Sequence, residues 1–427
     1  RGTPRLSQSI AGSRAGSVAG SRDISDDEQA DDAQSMASDD TWQLDADEDD
    51  SEVGDDWATE LDAAVEALDD KRAATREKGL RGVARVMSHV YLGDTLGGQR
   101  VTLLDAFRRA ARRTKSVQER ELALHATALW FVSFGTGPEG DEEFESTASF
   151  LQELATDANA SSHVRAGALA ALGMANFVAG ADYRDAAVLA RWVEDHVLTA
   201  ALDERAMDTA RQAFETIGLL LTVVVDGDVR LGEELFEQAF DAHMRGLTAD
   251  SVEVRVAAAQ NFALIHEALS GEVDDDAAPY AFERQDELVG VLEMLKHESS
   301  KRQGKRGSVA QRAAVRDVLA TIEDGDTPRL RLVLHGRAVV FDSWVRIQRL
   351  QAFRAVLAGG LPAHFGANAL LQDVFEVEFD PASDGHARSE ARVVVNPSSE
   401  LAKARSLAMR RRRHDARQRG RLSEDED

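Results

Sequence analysis

"VRAGALAALGMA", residues 164–175, and "VRVAAAQNFALI", residues 254–265, share one layout: an arginine followed by small and apolar residues at helical spacing. The same layout occurs in "TREKGLRGVARV" at 75–86, "ERELALHATALW" at 119–130 and "TARQAFETIGLL" at 209–220, where Ala210 takes the arginine's place. The register positions Arg76, Arg120, Arg165, Ala210 and Arg255 are separated by 44, 45, 45 and 45 residues. A helical unit repeating at roughly 40–47 residues is the pattern of HEAT and armadillo arrays. One such unit cannot bury its apolar face alone, so neighbours must stack into a continuous core. The expectation is an all-α, HEAT/armadillo-like α-solenoid.

Outward from these repeats, the helical periodicity starts at Trp57, with Leu61, Ala64, Val65 and Leu68 on one face, and continues to about residue 325. Proline, which breaks helix interiors, is nearly absent from this span. The segment 298–316 interrupts the period with a basic, glycine-containing loop. Residues 326–380 read as a small C-terminal module. "RLRLVLHGRAVVF" (329–341) predicts two short strands around the His335-Gly336 turn. "DSWVRIQRLQAFRAVL" predicts a helix capped by Asp342 or Ser343, with Trp344, Ile347, Leu350, Phe353 and Leu357 on its apolar stripe. Residues 381–397 read as a linker. Residues 398–427 read as a basic C-terminal helix with an acidic end, opened by Asn396-Pro397.

Charge is distributed unevenly along a chain whose formal net charge is −26. Residues 1–56 read as a disordered acidic segment, in which Asp23–Asp56 holds 16 Asp/Glu and no Lys or Arg. Lys403–Arg421 reverses this, with nine Lys/Arg against Asp415 alone. The complete lack of cysteine excludes disulfides and thiolate-bound zinc, and suits a reducing compartment. No apolar run is long enough to span a bilayer and no apolar signal core opens the chain, so a soluble intracellular protein is expected.

The sequence carries none of the common catalytic signatures. The sequence has no phosphate-binding G-x-x-x-x-G-K-[ST], no G-x-S-x-G elbow and no H-E-x-x-H. The 11 histidines fall singly, and His125 and His266 sit in apolar registers as core residues. "DADEDDSEVGDD" (45–56) superficially resembles a calcium loop but has Asp50 where the sharp turn needs glycine. A non-enzymatic binding protein without cofactor, metal or small-molecule substrate is the expectation.

The basic tail supplies the functional candidates: Lys403, Arg405, Arg410, Arg411, Arg412, Arg413, Arg417, Arg419 and Arg421. On a helix advancing about 100° per residue these cations point in every direction. Such a helix has no apolar side to sink into a membrane surface or to pack on its own domain. It gains order only where negative charge surrounds it. RNA, a nuclear-import receptor and a generic polyanion all meet that description. Two further basic groups are docking candidates. With Leu104, Phe107 and Ala111 facing inward, the i, i+4 neighbours Arg108 with Arg112 and Arg109 with Arg113 are expected to point outward, and Lys115 follows; Lys301, Arg302, Lys305 and Arg306 are expected to crown the 298–316 loop. The acidic 23–56 run, or "SEDED" at 423–427, could fold back to screen the tail.

Three stretches carry a family resemblance. "DDWATELDAAVEALDDKRAATREKGLRGVARVMSHVYLGDTL" (55–96) with "VTLLDAFRRAARRTKSVQERELALHATAL" (101–129), then "FDSWVRIQRLQAFRAVLAGGLPAHFGANALLQDVFE" (341–376), then "SSELAKARSLAMRRRRHDARQRG" (398–420), resemble interferon-related developmental regulators in the same order. The resemblance implies an armadillo-like fold without enzymatic activity. It further implies binding to translationally inactive ribosomes, with the C-terminal helix in the path of mRNA and tRNA, or transcriptional co-regulation through protein partners. It therefore favours ribosomal RNA as the tail's partner and the cytoplasm as its site, with the nucleus as a further compartment that import would add.

Overall fold

Three of the inner helices begin with a serine cap. In the computed structural model the side chains of Ser116, Ser161 and Ser251 accept from the backbone N–H of Glu119, Val164 and Val254. These caps satisfy donors that the first helical turn would leave orphaned. They start the inner helices α4 (Val117–Phe134), α6 (Ser162–Ala179) and α11 (Val252–Ser270). With α2 (Ala73–His89), α9 (Met207–Gly227) and α13 (Lys305–Asp324), these form one layer in which α2, α4, α6, α9, α11 and α13 pack in sequence order. Three of the four period arginines tie neighbouring repeats. Arg76 donates to Glu119 at 2.7 and 2.9 Å, Arg165 to Glu204 at 2.9 Å, and Arg255 to Gln311 at 2.6 Å. The predicted solenoid is therefore what the chain forms.

The outer layer is α1 (Trp57–Ala67), α3 (Gln99–Arg113), α5 (Pro138–Thr156), α7 (Tyr183–Val193), α10 (Val229–Leu247) and α12 (Gln285–His297). Each packs on the inner helix of its own repeat. A π-helical turn, Glu194–Leu198, joins α7 to α8 (Thr199–Glu204). The structure describes residues 54, 56–93, 95–113, 116–180, 182–271, 280–298, 305–377 and 379, without the side chains of Arg113 and residues 305–308. All of them belong to one compact unit, Ser35–Asp427. The acidic 1–53 run, the 381–397 stretch and the 398–427 tail lie outside the described residues.

After α13 the chain makes the expected hairpin, β1 (Leu330–Leu334) antiparallel to β2 (Arg337–Phe341). His335 and Gly336 both take positive φ, 49° and 76°, the two-residue turn that matches strand twist. Ser343 then caps α14 (Trp344–Leu357), accepting from Arg346 N–H at 3.2 Å. Two short helices follow, α15 (Leu361–Ala367) and α16 (Ala369–Phe375).

These elements run as a strap across the inner layer. Trp344 N–H donates to Glu267 of α11 at 2.7 Å and its indole N–H to Thr321 of α13 at 2.9 Å. Next, Gln348 donates to Asn261 of α11 at 3.3 Å, and Arg349 reaches Asp226 of α9 at 2.6 Å. Phe353 meets Phe177 of α6 edge-on at 5.8 Å. His125 of α4 donates to the Val356 carbonyl at 2.8 Å. Finally His364 of α15 donates to the Met87 carbonyl of α2 at 3.0 Å, and Asn368 to the Val132 carbonyl of α4 at 3.0 Å. The crossing is tight at Gly360, where an added Cβ would lie 1.8 Å from the Ser88 carbonyl oxygen.

Candidate nucleic-acid interface

The nine tail cations, with Lys115, Lys301 and Arg302, lie outside the described residues. Lys305 and Arg306 open helix α13 instead of crowning a loop, so the interruption of the repeat is shorter than expected. The helix starts earlier because the run from Lys305 to Asp324 contains no proline and only one glycine.

The α3 group separates into two kinds of arginine. Arg108 was expected to point outward, and the structure corrects this. Its guanidinium turns onto α5, where it donates to Glu143 and Ser146 at 2.6 Å each, to Thr147 at 3.0 Å, and to Asp105 of its own helix at 3.1 Å. With its side chain only 16% exposed, Arg108 is an interhelical strut. The reason is the neighbouring helix. α5 carries Glu139, Asp141, Glu142, Glu143 and Glu145 and no base, so the nearest unneutralised acid lies sideways.

Arg109 and Arg112 remain on the surface. Arg109 stands 3.5 Å from Asp69, an exposed pair worth little in water. Arg112 lies over the Phe150 ring at 4.3 Å, a cation–π contact. Two open grooves meet at this residue. One, about 880 Å³, is lined by Arg112, Arg120, Phe150 and Asp157; the other, about 400 Å³, by Asp105, Arg108, Arg109 and Ser146.

The structure adds residues that motif reading missed. Lys71, Arg72, Lys78 and Arg81 on or beside α2 are all exposed. Residues 71–120 contain 13 Lys/Arg against Glu77, Asp94, Asp105 and Glu119, a local excess of nine positive charges in an acidic chain. A charge count per repeat would have found it. The N-termini of α2 and α4 add the positive ends of their dipoles to this part of the protein.

Buried titratable groups elsewhere serve architecture. His243 is pushed down to about 4 by burial; its Nδ1–H donates to the Ala239 carbonyl and its Nε2 accepts from Asn261. His364 is likewise held at about 4 by burial. His125 and His266, read as core residues, are both lowered by burial and both donate to main-chain carbonyls. Burial raises Glu267, which nonetheless accepts from Thr327 and Trp344. Among the described residues no group of three His, Asp or Glu side chains could hold a metal ion, and no helix is long and apolar enough to cross a membrane.

The family model described as interferon-related developmental regulator (IFRD) matches residues 28–323, the greater part of the chain. The chain belongs to the interferon-related developmental regulator family. The match covers the repeat layers and stops just before the end of α13. Among curated IFRD proteins, the chain is 27% identical to interferon-related developmental regulator 1 of Mus musculus over 326 residues, covering 74% of this chain and 71% of the relative. It is 28% identical to interferon-related developmental regulator 2 of the same species over 327 residues, covering 74% and 72%. An uncharacterized protein of Schizosaccharomyces pombe is 29% identical over 195 residues, 41% of each chain. This IFRD protein is thus built as a solenoid strapped by α14–α16, with a basic stretch at residues 71–120.

Proposed function

We propose that this IFRD protein is a non-enzymatic translational regulator that binds the ribosome. Its helical body docks on ribosomal RNA. The Arg-rich segment 403–421 enters an mRNA or tRNA channel and keeps the particle inactive by occupying space and neutralising phosphate. The observation that carries this reading is the charge of the tail, nine cations against one acid in a chain of net charge −26. Arginine suits the role because its planar fork engages phosphate bidentately and stacks on bases. The grooves around Arg109 and Arg112 and the exposed bases of α2 support a second contact from the body.

The alternative is a nuclear co-regulator that grips protein partners on the inner face of the solenoid. Less of that face is available to a partner than a bare solenoid would offer, because α14–α16 cross it from α13 to α2. The reading is tested by sedimenting the full chain and a truncation after Pro397 with ribosomes through sucrose gradients at low and high salt. Co-migration of the full chain, lost on truncation and reduced by salt, is the expected result. Recovery of both proteins only in ribosome-free fractions overturns it.

A further inference from the structure

The strap is fastened to the last repeats through one carboxylate. Glu267 of α11 accepts from the Thr327 hydroxyl at 2.6 Å and from the Trp344 N–H, the first of α14, at 2.7 Å. Beside it, Thr321 donates to the Asp326 carbonyl at 2.8 Å and accepts from the Trp344 indole at 2.9 Å. The 326–327 stretch and the start of α14 are thus tied to each other through Glu267 and Thr321. Among the described residues no lysine or arginine forms an ion pair with Glu267. Burial foremost, with Asp342 adding to it, raises its carboxyl above the ordinary value.

Thr327 sits in a stretch that a modifying enzyme can read. Of the seven prolines in the chain, only Pro4 and Pro328 follow a threonine or serine. Proline biases the residue before it to extended backbone, the form in which a proline-directed kinase takes its substrate. Residues 325–329 form neither helix nor strand, Asp324–Asp326 are exposed and Thr327 is half-buried. The Thr327 backbone makes no hydrogen bond to another described residue, so its side chain is held by the Glu267 contact alone. Pro328 behind it is buried, so the kinase reads the stretch when it opens locally.

We propose that Thr327 is a phosphorylation site of a proline-directed kinase, and that its phosphate unfastens the start of the strap. In the transfer, the γ-phosphorus of ATP gains a bond to Thr327 Oγ1 and loses its bond to ADP, while the hydroxyl proton passes to the kinase's base. The donor to Glu267 is replaced by a group carrying about −1.5 to −2 charges. Carboxylate and phosphate both only accept, and Asp342 adds a second negative charge, so Glu267 and Thr327 separate and Trp344 loses its anchor. His364 and Gly360 hold the other end against α2, so the strap opens from the α13 end alone. This inference does not depend on what the tail binds.

The test uses the full-length chain carrying Thr3→Ala, incubated with ATP and a proline-directed kinase. Mass spectrometry is expected to place a phosphate on Thr327; none there overturns the proposal. Amide exchange then compares the modified and unmodified proteins. Amides at the start of α14 should exchange about tenfold faster after phosphorylation, with those of α15 unchanged. Equal rates overturn the proposal, since the phosphate then caps α14 in place of Glu267. Acceleration of α14 and α15 alike overturns it as well, since that reports general unfolding. Glu267→Gln separates charge from bulk, because its amide donates to the phosphate while its oxygen still accepts from Trp344. Phosphorylated E267Q is expected to keep the slow rates of its unmodified form. The full acceleration in E267Q would show that repulsion from Glu267 is not the cause, and overturns the mechanism.

Discussion

Arg349 of α14 donates to the Asp226 carboxylate of α9 at 2.6 Å, joining residues 123 positions apart. Arg349 also donates to the Thr222 hydroxyl at 3.1 Å and carbonyl at 2.8 Å, and its side chain is only 10% exposed. Removing Asp226 leaves a largely buried guanidinium without its counter-charge. Asp226→Ala is expected to cost about 1.5–3 kcal/mol, read as a lower midpoint in urea. An unchanged midpoint would show that the strap holds by apolar packing alone.

Two glycines make opposite predictions. At Gly360 a methyl group would collide with the Ser88 carbonyl, a backbone atom that cannot yield, so Gly360→Ala should cost about 3 kcal/mol. At Gly290, inside α12, nothing lies within 4 Å of the added carbon, and Gly290→Ala should gain about 0.5–1 kcal/mol from helix propensity. Paired thermal melts check both signs.

The pH dependence of stability has two limbs. Between their unfolded value of 6.5 and about 4, His243 and His364 stay neutral in the fold while the unfolded chain takes up protons, so stability falls as pH drops through that window. Glu194 acts in the opposite sense. Burial, with Asp195 beside it, raises its carboxyl from 4.5 to about 7, so its contribution is complete below 4.5 and is lost as pH rises through 7. Glu194→Gln should therefore raise Tm more at pH 8 than at pH 5. Equal increments at both pH values would refute this assignment.

Within α3, Arg108→Ala should lower stability by about 1.5–3 kcal/mol, since it strands Glu143 against the strut's former partners. Arg109→Glu and Arg112→Glu should leave Tm nearly unchanged and weaken ribosome co-sedimentation. Wild-type pelleting in both reversals would remove α3 from the interface.

For the tail, contact with about eight phosphates gives a slope of log K against log salt of roughly −6 to −7. Replacing Arg410–Arg413 by glutamine should flatten it by about 3 to 4. A slope that does not move would assign binding to the body.

The repeat was legible because it is written twice. The period arginines recur at 45 residues, and Ser116, Ser161 and Ser251 recur four positions before them as helix caps. The hairpin and the Trp344–Leu357 stripe were equally plain, since each is specified by neighbours in sequence. The strap's course was not. Its contacts come from single polar residues such as Gln348, Asn261 and His364, each of which looks like a blemish in an apolar stripe until its distant partner is known. Arg108 misled for the same reason. Its periodicity placed it on the outside of α3, and only the acidic composition of α5 explains where the side chain goes. The family resemblance, read over residues 55–421, is shown by the match to residues 28–323, which leaves the basic tail's partner as the open experiment.

An ordinary solenoid frays from either end, because each repeat knows only its neighbours. Here His364 grips the Met87 carbonyl across 277 positions, while Trp344 grips Thr321 near the far end. The first and last repeats are stitched by one ribbon, so neither terminus can peel away without breaking the whole. Unfolding should be a single cooperative event. During synthesis, the inner helices must wait bare until about the 375th residue has emerged to cover them.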